Sequence, residues 1–191
     1  MKVEQFVMAY GIEQDRIRAL LPDGFVSLRP VLRLNAEIRD EKTGYVEFNT
    51  AVEHEGKRGW LNIGNWTEVP FTKEGKTTVF ESELLKISFT GVGIEGGCPA
   101  EKDNAGCFFL GEKETLRLPE LISGKKEFCD CSFEWKLPEG AHGVSIGKTL
   151  PAIPTEEAHT YPKQAFSVEN AAAVPCTQVL GTYVVAFERV E

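Results

Sequence analysis

The chain has 191 residues, 42% of them hydrophobic, and a net charge of −8 from 21 basic and 29 acidic side chains. That length and apolar content suffice for a real core, read as one domain over residues 1–191. The acidic balance, with lysines scattered rather than clustered, excludes nucleic acid and an anionic membrane surface as partners and leaves a small molecule or a protein.

Residues 3–10 read as a first strand, and residues 13–21 as a short amphipathic helix with Ile17, Leu20 and Leu21 on one face. Pro22, Asp23 and Gly24 stop that helix. Alternation predicts strands over 26–34 and 44–52, joined by a turn at 40–43. In the second of these, Tyr45, Glu47, Asn49 and Ala51 share one face, and Val46, Phe48, Thr50 and Val52 the other. Segments 60–66, 77–89, 106–110, 128–137 and 178–190 add further strands rich in β-branched and aromatic residues. The expected fold class is mainly β (α+β), an antiparallel sheet with two or three short helices. Residues 140–157, with prolines at 151 and 154, form either a long functional loop or a surface connector.

No run of eighteen apolar residues occurs, and residues 1–6 carry no apolar leader, so a cytoplasmic protein without a membrane span is expected. The five cysteines are odd in number and lack the two-residue spacing of zinc knuckles, which predicts reduced thiols. Cys129 and Cys131 flank Asp130 on one strand face, as small core residues or as a metal-binding pair. His54, His142 and His159 show no metal-ligand spacing, and no phosphate loop, dinucleotide fingerprint or nucleophile elbow is present. Neither a metal nor a cofactor is expected.

The densest chemistry lies in residues 93–102, where Gly93, Gly96 and Gly97 accompany the carboxylate of Glu95, the thiol of Cys98 and the amine of Lys102. This stretch is either a loop at a site or a solvated turn. Lys102 is the candidate nucleophile, for an imine with a carbonyl substrate. Glu95 and Glu47 are candidate general acids or bases, provided burial raises their pKa values. Arg33 and Arg39 are candidates to grip a substrate carboxylate through two parallel hydrogen bonds. Alternation groups Lys86 with Leu84 and Ser88, opposite Leu85, Ile87 and Phe89, which makes it either a solvated side chain or a cavity-facing amine near the substrate. Trp60, Trp66, Phe71, Phe80 and Phe89 fill a core or line a cavity.

Val7-Met8-Ala9-Tyr10, the helix from Asp15 to Pro22, and Arg29-Pro30-Val31-Leu32-Arg33-Leu34 together resemble the start of acetoacetate decarboxylase and its relatives. Glu55-Gly56-Lys57-Arg58-Gly59-Trp60-Leu61 is similar to the Gly-x-x-Gly-aromatic-Leu turn that follows there, and residues 93–102 are similar in outline to a family loop running Gly-x-Glu to Tyr-Pro-Lys-Lys. The resemblance implies a cone-shaped antiparallel β-barrel with a hydrophobic central cavity and peripheral helices, assembled as a homo-oligomer. It also implies cofactor-independent lyase chemistry through a Schiff base between a lysine and a β-keto acid. The chain departs from the pattern in two places. Pro99 is followed by Ala100, Glu101 and a single Lys102 instead of two adjacent lysines, and Asn35 stands at an acidic position after the arginine.

Two readings follow, a decarboxylase-like domain acting on a carboxylate or carbonyl metabolite in the cavity, and a non-catalytic small-ligand-binding module on the same scaffold. A structural or assembly subunit is a third. Tyr161-Pro162-Lys163 matches the family Tyr-Pro-Lys only out of order and reads as a surface turn.

Overall fold

The computed structural model describes residues 1–97, 106–110, 115–117, 125–137 and 161–190, with only the backbone of 115–117. Its elements in chain order are β1 (Lys2–Gly11), α1 (Gln14–Leu20), β2 (Val26–Arg39), β3 (Thr43–His54), β4 (Lys57–Thr67), β5 (Phe71–Glu74), β6 (Thr77–Glu81) and β7 (Leu85–Gly97), then β8 (Cys107–Phe109), β9 (Thr115–Arg117), β10 (Lys125–Trp135), α2 (Val168–Ala172) and β11 (Gln178–Glu188). The strands form one sheet in the order β5-β6-β7-β10-β11-β1-β2-β3-β4-β8-β9. Neighbours are antiparallel except β4 and β8. The expected mainly β class is what the chain adopts.

Aromatic contacts show that the sheet curls. Phe6 on β1 meets Phe80 on β6 with ring centroids 5.5 Å apart, although three strands separate them in the sheet. Phe48 on β3 reaches Trp135 on β10 at 4.9 Å across three intervening strands. Side chains on the inner face of this half-barrel therefore make one apolar core, to which Leu34, Phe48, Leu61, Ile87 and Phe89 contribute. Burying such side chains is the main favourable term in folding. Helix α1 adds Ile17 and Leu20 to that core, and the segment after residue 160 packs along it. The Tyr161 hydroxyl donates to the Glu13 carboxylate at 2.8 Å, and Gln164 N donates to the Ala19 carbonyl. The Tyr161-Pro162-Lys163 segment, read above as a surface turn, is irregular chain that braces α1.

Several details differ from the sequence reading. Residues 77–89 are two strands, because Ser82 breaks the run; its hydroxyl accepts from Leu84 N and its own N–H donates to the Leu85 carbonyl. Strand β2 runs on past Leu34 to Arg39, and strand β5 and the five-residue α2 were not anticipated. The chain leading into β5 passes so close to β3 that a Cβ at Gly44 would stand 2.0 Å from the Val69 carbonyl oxygen. The expected loop at 140–157 lies outside the described residues.

Outward-facing side chains of β2 and β3 are buried as well, which sets the polar problem of this fold. At one end it is solved by Glu37, which accepts from Arg39 Nε at 2.7 Å, from Arg189 Nη2 at 2.8 Å and from Gln5 Nε2 at 3.3 Å. These bonds tie β1, β2 and the C-terminal segment together. Burial alone would raise the Glu37 carboxyl, but the hydrogen bonds and charges of Arg189 and Arg39 outweigh it and hold the group below its ordinary value of 4.5. A depressed folded-state value stabilises at pH above the ordinary one and is lost as pH falls through the folded one. Glu37→Gln is expected to cost about 2 kcal/mol at pH 7 by urea unfolding, with the difference from wild type shrinking progressively below the ordinary carboxylate value.

Candidate functional site

The outward face of β2, β3 and β4 carries a buried polar belt. Arg33 on β2 pairs in register with Asn49 on β3, Asn49 with Asn62 on β4, and Asn35 with Glu47. Alternation turns all five away from the core residues Leu34, Phe48 and Leu61. Directly opposed residues bring their Cβ atoms to about 5 Å, so these side chains are immediate neighbours. Asn35 is only 7% exposed and Asn49 is fully buried.

Geometry fixes several of these groups in place. Asn62 Nδ2 donates to Asn49 Oδ1 at 3.3 Å and to the Gly64 carbonyl at 3.2 Å, which turns the Asn49 amide nitrogen the other way. The Arg33 guanidinium lies over the Trp60 ring, with Cζ 3.6 Å from the centroid. Trp60 is itself held between Val31 and Ala51. Stacking of this kind preorganises a guanidinium for planar recognition. Yet Arg33 Nε, Asn35 Oδ1 and Asn49 Nδ2 are buried without a hydrogen-bond partner. Such groups cost about 1–3 kcal/mol each unless something completes them. Two donors and one acceptor on one face are complementary to a small molecule that offers a carboxylate or carbonyl oxygen together with an O–H or N–H.

The predicted site residues separate on the structure. Glu47 stands beside Asn35 on the polar belt and accepts a hydrogen bond from the Tyr45 hydroxyl. Burial first, and then the Glu47 charge, push the Tyr45 phenol far above its ordinary value, so the phenol remains a donor to that carboxylate. Arg39 is engaged by Glu37 and stacks over Tyr45 at 3.7 Å. Lys86 and Glu95 are on β7, four places from β2 in the sheet order, and both are exposed. Lys86 pairs with Glu81 at 3.2 Å and Glu95 with Lys125 at 3.1 Å. Lys102 and Cys98 lie outside the described residues.

The glycines that draw attention to residues 93–102 answer a local need of the sheet. Gly93 has φ +73° and donates its N–H to Glu127 Oε1 at 2.9 Å, and a Cβ at Gly91 would lie 2.5 Å from that oxygen. This is where β10 carries a register shift, between Glu127 and Cys129. Residues up to Gly97 accordingly continue β7 rather than form a loop. Asn49 and Asn62, which complete the belt, are not singled out by sequence reasoning. The available signal was that Asn49 shares a face with Glu47.

Comparison with solved structures places this architecture. An acetoacetate decarboxylase from Legionella pneumophila subsp. pneumophila str. Philadelphia 1 superposes with a TM-score of 0.58 at 12% identity, over 97% of this chain and 81% of that one. The chain has the acetoacetate decarboxylase-like fold. An acetoacetate decarboxylase-like enzyme from Sphingomonas wittichii RW1 aligns at TM-score 0.52 and 10% identity, over 97% of this chain and 87% of that one. The enduracididine biosynthesis enzyme MppR, complexed with pyruvate, aligns at 0.51 and 12%, over 97% and 84%. No protein-family model matches the sequence, and a comparison with curated proteins finds no relative.

If the belt is kept for binding rather than folding, removing an unpartnered member relieves the fold. Asn35→Leu, which keeps the branching and the number of side-chain heavy atoms, is expected to raise stability by about 1 kcal/mol in urea unfolding of the ligand-free protein.

Proposed function

We propose that the chain is a decarboxylase-like small-molecule domain that holds a metabolite bearing a carboxylate or carbonyl group against Arg33, Asn35 and Asn49. The observation that carries this reading is the set of three buried, unpartnered polar atoms on one sheet face. A ligand oxygen received by Arg33 Nε and Asn49 Nδ2 satisfies both donors, and the stacked guanidinium loses little freedom in doing so. A hydroxyl or N–H of the same ligand satisfies Asn35 Oδ1. Pyruvate, which is bound in the MppR structure, combines a carboxylate with a carbonyl and is a natural first probe.

Amides at 35 and 49 are neutral and supply no proton, so these positions suit binding and orientation better than acid–base work. The non-catalytic ligand-binding reading is therefore favoured on the described residues. The lyase reading keeps one route. The Lys102 amine adds to the ligand carbonyl with loss of water, the protonated imine accepts the electron pair of the breaking C–C bond, and carbon dioxide leaves. Glu47 is then the belt's own carboxylate for proton transfer.

Calorimetric titration of pyruvate and acetoacetate into wild type and Arg33→Met, with borohydride reduction of the same mixtures read by intact mass, separates these readings. Saturable binding that weakens about tenfold or more in Arg33→Met, with no added mass, is the expected result. An adduct mapped to Lys102 assigns the lyase route instead. Absence of binding to wild type, or equal affinity in Arg33→Met, overturns the proposal.

A further inference from the structure

The Trp60 ring that steadies Arg33 carries a second guanidinium. Arg29, earlier on the same strand β2, holds its Cζ 5.4 Å from the ring centroid, against 3.6 Å for Arg33. Both distances lie within the range in which a cation is drawn to an aromatic face. The two charges can therefore be no further apart than those two distances added together. Arg29 is exposed, whereas Arg33 is half-buried with its Nε inside the protein. The pair thus runs from solvent to the buried belt.

An irregularity in β2 puts Arg29 in this place. The register of β2 against β3 shifts between Ser27 and Leu32, and Pro30, which has no N–H to give to a ladder, lies within the shift. Other bonds fasten the stretch instead. The Pro30 carbonyl accepts from Ile12 N at 3.0 Å and the Val31 carbonyl from Thr50 Oγ1 at 2.9 Å. On the other side, the Ser27 hydroxyl accepts from Gln14 Nε2 at 2.7 Å and donates to the Arg29 carbonyl at 3.3 Å. Val31, midway between the two arginines, packs in one apolar cluster with Trp60 and Ala51. The backbone around Arg29 is held from both sides, and the ring orients its side chain.

Two guanidinium groups that share a ring repel each other, and each presents a planar fork of N–H donors that matches a carboxylate. A ligand with a carboxylate at each end relieves the repulsion and meets both forks. We propose that the belt takes a short dicarboxylate, with one end held by Arg33 and Asn49 and the second carboxylate held by Arg29 toward solvent. The inference rests on the belt being the ligand site, and it makes Arg29 the residue that separates diacids from monoacids there. Binding is non-covalent.

The test is calorimetric titration of 2-oxoglutarate and its 5-methyl ester into wild type, Arg29→Met and Arg33→Met. The ester keeps the chain, the first carboxylate and the carbonyl, and lacks only the second charge. Wild type is expected to bind the diacid about tenfold more tightly than the ester. In Arg29→Met, a change at an exposed position that leaves the fold intact, that ratio is expected to fall to about one. Arg33→Met is expected to weaken diacid and ester together. Equal affinity for the two in wild type, or a ratio that survives in Arg29→Met, overturns this inference while the belt remains the ligand site by the response to Arg33→Met. Undiminished binding of both in Arg33→Met, or no binding of either to wild type, overturns the belt reading and this inference with it.

Discussion

Strands β2 and β3 are buried on both faces, and burial of a polar side chain is unfavourable unless its hydrogen bonds are restored inside the protein. The inner face meets this condition by being apolar from Leu32 to Ile38 and from Val46 to Phe48. The outer face meets it at one end, where Glu37 gathers Gln5, Arg39 and Arg189. It does not meet it at the other end, where Arg33, Asn35 and Asn49 retain unpartnered atoms. The same strand pair thus carries a completed network and an incomplete one, only a few residues apart. That contrast locates the proposed binding site.

Charge distribution follows the same division. Arg39 and Arg189 are committed to a carboxylate that is itself deeply buried, so their role is to hold the ends of the sheet. Arg33 is steadied by a ring instead of a carboxylate, which positions its charge without neutralising it. Lys86 and Glu95 are exposed members of surface pairs, an arrangement that contributes little to stability and nothing to a shared cavity. The apolar chamber around Tyr10 and Trp135, inside the half-barrel, is a different environment again.

Much of the scaffold was legible because strands announce themselves by alternation. The two faces of β3 follow from the sequence alone, and the helix after β1 is visible in Ile17, Leu20 and Leu21. The break at Ser82 was hidden because no glycine or proline marks it, and α2 is too short to show a helical period. The site was legible only in part. Arg33 and Glu47 are found together on one face, but the belt depends on Asn49 and Asn62, whose burial comes from tertiary packing that no local pattern records. The pairing of Glu37 with Arg189 joins residues 152 positions apart and is equally invisible to spacing. The glycines of residues 91–97 pointed to a site loop because the partner that explains them, Glu127, is distant in sequence.

The most direct measurement is a ¹H–¹⁵N NMR titration with pyruvate that follows the Arg33 Nε–H and the side-chain amides of Asn35 and Asn49. The account predicts that these three signals shift together along one saturable curve, while the Trp135 indole N–H stays in place. Unmoved signals at all three, or movement confined to Trp135, would contradict the claim that the buried belt on β2 and β3 is where this protein receives its ligand.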